Sequence, residues 1–201
     1  MVHMPELDYW VTYTGGIGAG TIRELGVNFG APGHRRDQED RLWIAVPNVP
    51  YLSSSNKDTG LSDQVAVKTQ GGRPFTRHPF NLPDEYAENW ILASGLEGVE
   101  SIRIPINTES PVQCEVRILF CKPDLTELER YQFSVEIEGE PATDSKPDID
   151  LSADWTPSEL AWSGVIQDGH LDLKLQATHP QTRTIINGLY LSTHAMIPEG
   201  E

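Results

Sequence analysis

The 201-residue chain predicts an all-β fold, a jelly-roll-like β-sandwich of two antiparallel sheets. Three observations carry that reading. Four runs in the back half alternate apolar and polar residues, the period-2 mark of a half-buried strand. They are Cys114-Glu-Val-Arg-Ile-Leu-Phe-Cys121, Tyr131-Gln-Phe-Ser-Val-Glu-Ile-Glu-Gly139, Asp168-Gly-His-Leu-Asp-Leu-Lys-Leu-Gln-Ala177 and Ile185-Ile-Asn-Gly-Leu-Tyr-Leu191. Seventeen Gly and 15 Pro divide the chain into short segments, the pattern of sandwiches and jelly rolls. Helical periodicity is nearly absent; one turn at 157–161, capped by Thr156, is the single expectation of a helix.

In chain order, residues 5–20 carry Tyr9, Trp10 and Tyr13 and then Gly15-Gly-Ile-Gly-Ala-Gly20, a loop or joint. No Gly-Lys-Ser/Thr follows and the dinucleotide spacing fails, so this is no phosphate loop. Leu25, Val27 and Phe29 alternate as a first strand, closed by Gly30-Ala-Pro-Gly33. After the polar stretch 34–41 comes a strand at Leu42–Val46, then an irregular segment at 47–63. Strands are expected at 65–68 and 90–94, with a loop at 71–83 between them. Ile102, Ile104 and Ile106 alternate around Pro105, which has no N–H to give to a ladder and favours an edge or an outward-facing, unpaired position. Residues 160–166 and 170–177 flank Asp168-Gly169, a strong hairpin signal. The expected organisation is a linker or the end of a preceding domain at 1–20, a sandwich at 21–194 and a tail at 195–201.

Composition bounds the function. A formal net charge of −15 opposes nucleic acid and anionic lipid, both of which need surplus Lys and Arg. The charge is uneven: 124–154 holds ten acids, with only Arg130 and Lys146 as bases, whereas 64–83 holds Lys68, Arg73 and Arg77 and no acid. Cys114 and Cys121 are seven apart, so on one strand they face opposite ways and lie too far apart to bridge. No run is apolar and long enough to cross a membrane as a helix. The six histidines form no close ligand pair, and no nucleophile elbow is present, so nothing points to catalysis. Met1-Val-His-Met4 reads as an expression remnant, and the chain as a fragment whose export signal lies upstream.

In order and spacing these strands resemble the malectin and malectin-like carbohydrate-binding modules. The resemblance spans about 22–192. It rests on Arg117 to Phe120, on Arg130-Tyr-Gln-Phe-Ser-Val-Glu-Ile-Glu-Gly139, on Asp168-Gly169 with Leu171, Leu173 and Leu175, and on Asn187-Gly188. The front stretch Gly26-Val-Asn-Phe-Gly-Ala-Pro-Gly-His-Arg-Arg-Asp37 with Leu42-Trp43 is similar to bacterial modules of this type, attached to larger exported proteins. The pattern departs at Lys122 and in the acid-free loop 178–183, where malectin carries an Asp for sugar hydroxyls.

The resemblance implies a non-catalytic module, extracellular or periplasmic, whose partners are an oligo- or polysaccharide and other domains of the parent protein. Sugar recognition needs aromatic faces for the C–H side of a pyranose and planar polar groups for its hydroxyls. The residues expected to supply them are Trp43, Tyr51, Phe75, Arg77, His78 and Trp90, with Phe80, Tyr86, Arg35, Arg36 and Asp37 as further choices. For Trp43 and Trp90 the alternative is core packing; for Arg77 and His78 it is pairing with the chain's carboxylates. No cofactor is expected. A structural calcium at Asp37, Glu39 and Asp40 is opposed by Arg35, Arg36 and Arg41 in the same loop. The alternative function is a structural or protein-interaction sandwich without a working sugar site.

Overall fold

A computed structural model describes residues 22–47, 64–77, 89–106, 108–122, 130–142, 148–151 and 157–195. Two sheets face each other. The first has six strands in the order β12 (Ser158–Ile166), β8 (Val112–Phe120), β16 (Gly188–Ala195), β1 (Glu24–Phe29), β3 (Leu42–Val46) and β2 (Arg35–Arg36). The second runs β10 (Glu140–Pro141), β9 (Arg130–Ile137), β13 (His170–Ala177), β7 (Val99–Pro105) and β4 (Ala66–Thr69), with β11 (Asp148–Asp150) and β14 (Thr182–Arg183) also on β9. A small sheet of β15 (Ile185–Ile186), β6 (Ser94–Glu97) and β5 (Pro74–Thr76) closes one end. Pairing is antiparallel except between β1 and β3 and between β14 and β9. The all-β sandwich is therefore the observed fold.

Alternation explains the layering. Along β9 and β13 every second residue is buried (Tyr131, Phe133, Val135, Ile137; Leu171, Leu173, Leu175), and these meet Cys114, Val116, Ile118 and Phe120 of β8 in one core between the sheets. The partners of these residues on the outer face of the second sheet form a charge ladder: Lys68–Glu100, Arg103–Asp172 and Lys174–Glu136. β1 and β3 break the alternation, buried along nearly all their length. A second apolar cluster lies on the outer face of the first sheet and covers them there: Trp43, Ile91, Leu92, Ala93, Leu119 and Cys121, with Trp90 and Tyr190 against it. Cys114 and Cys121 thus belong to opposite faces, as their spacing requires, and both are free and buried.

Five expectations are corrected. Residues 90–94 are not a strand: Asn89–Leu92 form the short helix α1, and β6 begins only at Ser94. The helical turn expected at 157–161 is strand from Ser158 onward, in β12, where pairing with β8 overrides local preference. Asp168-Gly169 does not close a hairpin. β12 pairs β8 in the first sheet and β13 pairs β7 and β9 in the second, so the turn carries the chain from one sheet to the other. Gly169, at φ +76°, gives its carbonyl to the Ile106 amide at 2.8 Å, and the Asp168 carboxylate accepts the His170 amide at 3.1 Å. Finally, the 71–83 loop contains β5, and the run 185–191 breaks at Asn187 into β15 and β16. Pro105 is the last residue of β7, past the end of the β4 ladder at Arg103, where a missing N–H costs nothing.

Candidate functional site

Strand register alone assembles a row of side chains on the outer face of the first sheet. Directly opposed residues share a face, so Ala161, Arg117, Tyr190, Gly26, Trp43 and Arg35 lie in line across six strands. Gly26 is required there. A Cβ at this position would stand 2.2 Å from the Trp43 ring, so the indole lies flat on bare backbone. Gly188 does the same for α1: its Cβ would meet Ile91 Cγ2 at 2.4 Å.

Polar groups fix α1 over this face. Asn187, fully buried, donates from Nδ2 to the carbonyls of Leu92 (3.2 Å) and Ser94 (2.7 Å), and its Oδ1 accepts the Cys121 amide at 2.7 Å. Ser94 donates to Asn28 Oδ1 at 2.9 Å. Arg77 reaches in from the end of β5, its Nη2 donating to the Leu92 carbonyl and to Cys121 Sγ, each at 3.1 Å. Burial raises the Cys121 thiol pKa, and the Arg77 charge and hydrogen bond oppose that rise.

The aromatic groups then form a cluster. Trp90 stands edge-on to Trp43 with centroids 5.5 Å apart, and Tyr190 lies tilted to Trp43 at 6.0 Å. Each outer ring carries a guanidinium: Arg35 lies 4.4 Å over Trp90, and Arg41 lies 5.0 Å over Tyr190. Asp37 organises the far side. Its Oδ2 accepts the Trp43 indole N–H at 3.0 Å and Arg41 Nε at 2.7 Å, and its Oδ1 accepts the amides of Glu39 and Arg41. Burial alone would raise this carboxyl, but the donors and the Arg41 charge outweigh it and hold its pKa below the ordinary value. Glu39 is engaged with Arg41 at 2.8 Å, so the loop considered for calcium spends these oxygens on N–H donors.

Beside Tyr190 the sheet face opens into a shallow groove of about 430 Å³, floored by Ala161, Ser163 and Ser192 and flanked by Glu115, Arg117, Glu159 and Tyr190. Arg117 Nε and Glu159 Oε1 pair across it at 2.8 Å.

The structure therefore brings Trp43, Trp90 and Arg77 to one cluster. Trp43 is only 2% exposed and supports the outer rings instead of presenting its own. Phe75 is elsewhere, half-buried against the main core on the bare backbone of Gly95. Tyr51, His78, Phe80 and Tyr86 lie outside the described residues. Tyr190 and Arg41 were not singled out from sequence. The signal for Tyr190 was present: Leu189 and Leu191 face inward, so the residue between them must face out.

A second cluster also escaped sequence reasoning. Glu97, 1% exposed, accepts the Tyr131 hydroxyl and pairs with Arg73 (3.0 Å) and Arg183 (3.9 Å), joining the small sheet to β9 and β14. Among the described residues no helix is long and apolar enough to cross a membrane.

No protein-family model matches this chain, and no curated protein does. Solved structures do. The β-glucuronidase of Bacteroides uniformis aligns at TM-score 0.59 and 18% identity over 85% of this chain and 18% of its own. The ANX1 ectodomain from Arabidopsis thaliana aligns at 0.61 and 12%, over 88% of this chain and 51% of its own. The ANXUR2 extracellular domain from the same plant aligns at 0.61 and 11%, over 88% and 49%. This chain spans less than a fifth of the glucuronidase and about half of the ectodomains. At these identities the likeness speaks for the fold, a malectin-like β-sandwich.

Proposed function

We propose that the chain is a non-catalytic carbohydrate-binding module of a larger exported bacterial protein, extracellular or periplasmic, and that it holds glycan on the outer face of its six-stranded sheet. One observation carries this reading: Trp90 and Tyr190, each under a stacked guanidinium, both pack against Trp43 on this face, and Tyr190 also lines an open groove. Ring edges supply apolar contact to sugar C–H groups, and guanidinium forks donate to paired hydroxyls. Trp90, Tyr190, Arg35 and Arg41 are the contact residues. Trp43 and Arg77 hold them in place, Trp43 from beneath and Arg77 through α1. Tyr51 and His78 remain proposed glycan contacts, and Phe75 supports the small sheet that carries Arg77.

A second reading is a structural or protein-interaction sandwich contacting other domains of the parent chain. The observation favouring it is the inward commitment of Trp43 and Arg77.

A glycan array separates the two, run with the wild type, Trp90→Ala and Arg35→Ala, each confirmed folded by circular dichroism. The module reading expects wild-type binding that either substitution weakens about tenfold, equivalent to about 1.4 kcal/mol. A folded wild type that binds no glycan supports the interaction domain.

A further inference from the structure

The groove beside Tyr190 has a charge of its own. Glu115 projects from β8 between Ser163 of β12 and Ser192 of β16, its direct neighbours across the ladder, and Glu24 continues the same row on β1. Glu115 is exposed and has no side-chain partner among the described residues. Glu159 on the opposite wall is paired with Arg117. The Tyr190 hydroxyl lies between Arg41 and Glu24. The groove thus combines one uncompensated carboxylate, two serine hydroxyls, a paired Arg–Glu wall and two aromatic residues, Tyr190 and Trp162. An anionic sugar entering it would face Glu115 and Glu24 with Arg117 already engaged. A cationic substituent would find in Glu115 a carboxylate that needs no desolvated ion pair broken first.

We infer that this groove takes an amine-bearing glycan, a chain of amino sugars with free ammonium groups, with Glu115 receiving the ammonium and the edge of Tyr190 lying against the sugar. The inference rests on the glycan-binding reading above and adds the ligand's charge class and a specificity residue outside the aromatic cluster.

The test is calorimetric titration of the whole chain with three oligosaccharides of equal length: a β-1,4-linked glucosamine oligomer, the corresponding neutral glucose oligomer and a galacturonate oligomer. It is made at a pH where the sugar amines are charged. The glucosamine oligomer should bind about tenfold more tightly than the neutral one. Added salt should erode that margin, Glu115→Gln should abolish it, and the galacturonate oligomer should not bind. Glu115 is exposed, so the variant has no packing to lose. Equal affinity for the amino and neutral chains, a margin untouched in Glu115→Gln, or tighter binding of galacturonate would overturn the inference. If the neutral chain binds and Trp90→Ala removes that binding, the module reading survives this failure. If the folded protein binds none of the three and nothing on a glycan array, both readings fall together.

Discussion

Two residues carry more of the structure than their positions in the sequence suggest. Asp37 gathers four N–H donors, from the Trp43 indole, from Arg41 twice and from the Glu39 amide. Asp37→Ala leaves a buried indole N–H without an acceptor and is expected to cost about 2 kcal/mol in urea unfolding at neutral pH. Because the folded carboxyl is held below the ordinary value of 3.8, its contribution is present above that value and is lost as the pH falls through the folded one. The stabilities of wild type and variant should therefore converge in acid, and a gap that persists below the folded value would contradict this account. Glu97 differs in its partners. Removing it strands the Tyr131 hydroxyl, which is buried, while Arg73 and Arg183 are largely solvated. Glu97→Ala should cost about 2 kcal/mol and Arg73→Ala less than about 1 kcal/mol, both read from denaturant midpoints. Neither role was legible in the sequence, because an acid among 30 shows nothing of its partners until the topology brings β6, β9 and β14 together.

At the scale of elements, what could be read and what could not divide by the range of the interaction. Arg130–Ile137 and His170–Ala177 fall where period-2 alternation puts them, since one buried face is a local property of a strand. Asp168-Gly169 misled because its residues specify a tight turn but not the sheet that receives the next strand. Residues 90–94 misled because an apolar run covered on both sides reads alike as strand or helix, and α1 is packed between Trp43 and Asn187 contacts made from far along the chain. Trp43 and Trp90 were legible as aromatic residues, but their pairing required the register of β1, β3 and β16. Gly26 tests that register. Gly26→Ala drives a Cβ into the Trp43 ring and should cost about 1–3 kcal/mol, lowering Tm by roughly 2–10 °C and altering near-UV circular dichroism. A variant with unchanged Tm and aromatic spectrum would place the indole elsewhere.

For the whole molecule, the two outer faces differ. The second sheet presents Lys, Arg, Asp and Glu that pair with one another and line a groove of about 520 Å³ with no aromatic side chain in it. The first sheet presents two rings, stacked guanidiniums and a groove. The proposed site lies on this sheet face. The most direct test is a ¹⁵N–¹H NMR titration with whichever glycan the array selects. The account predicts that the Trp90 indole and the backbone amides of Tyr190, Arg35 and Arg117 shift together with one affinity, while Lys68, Arg103 and Lys174 on the opposite face stay still. Shifts confined to the 71–83 loop or to the second sheet, with Trp90 and Tyr190 unmoved, would contradict it.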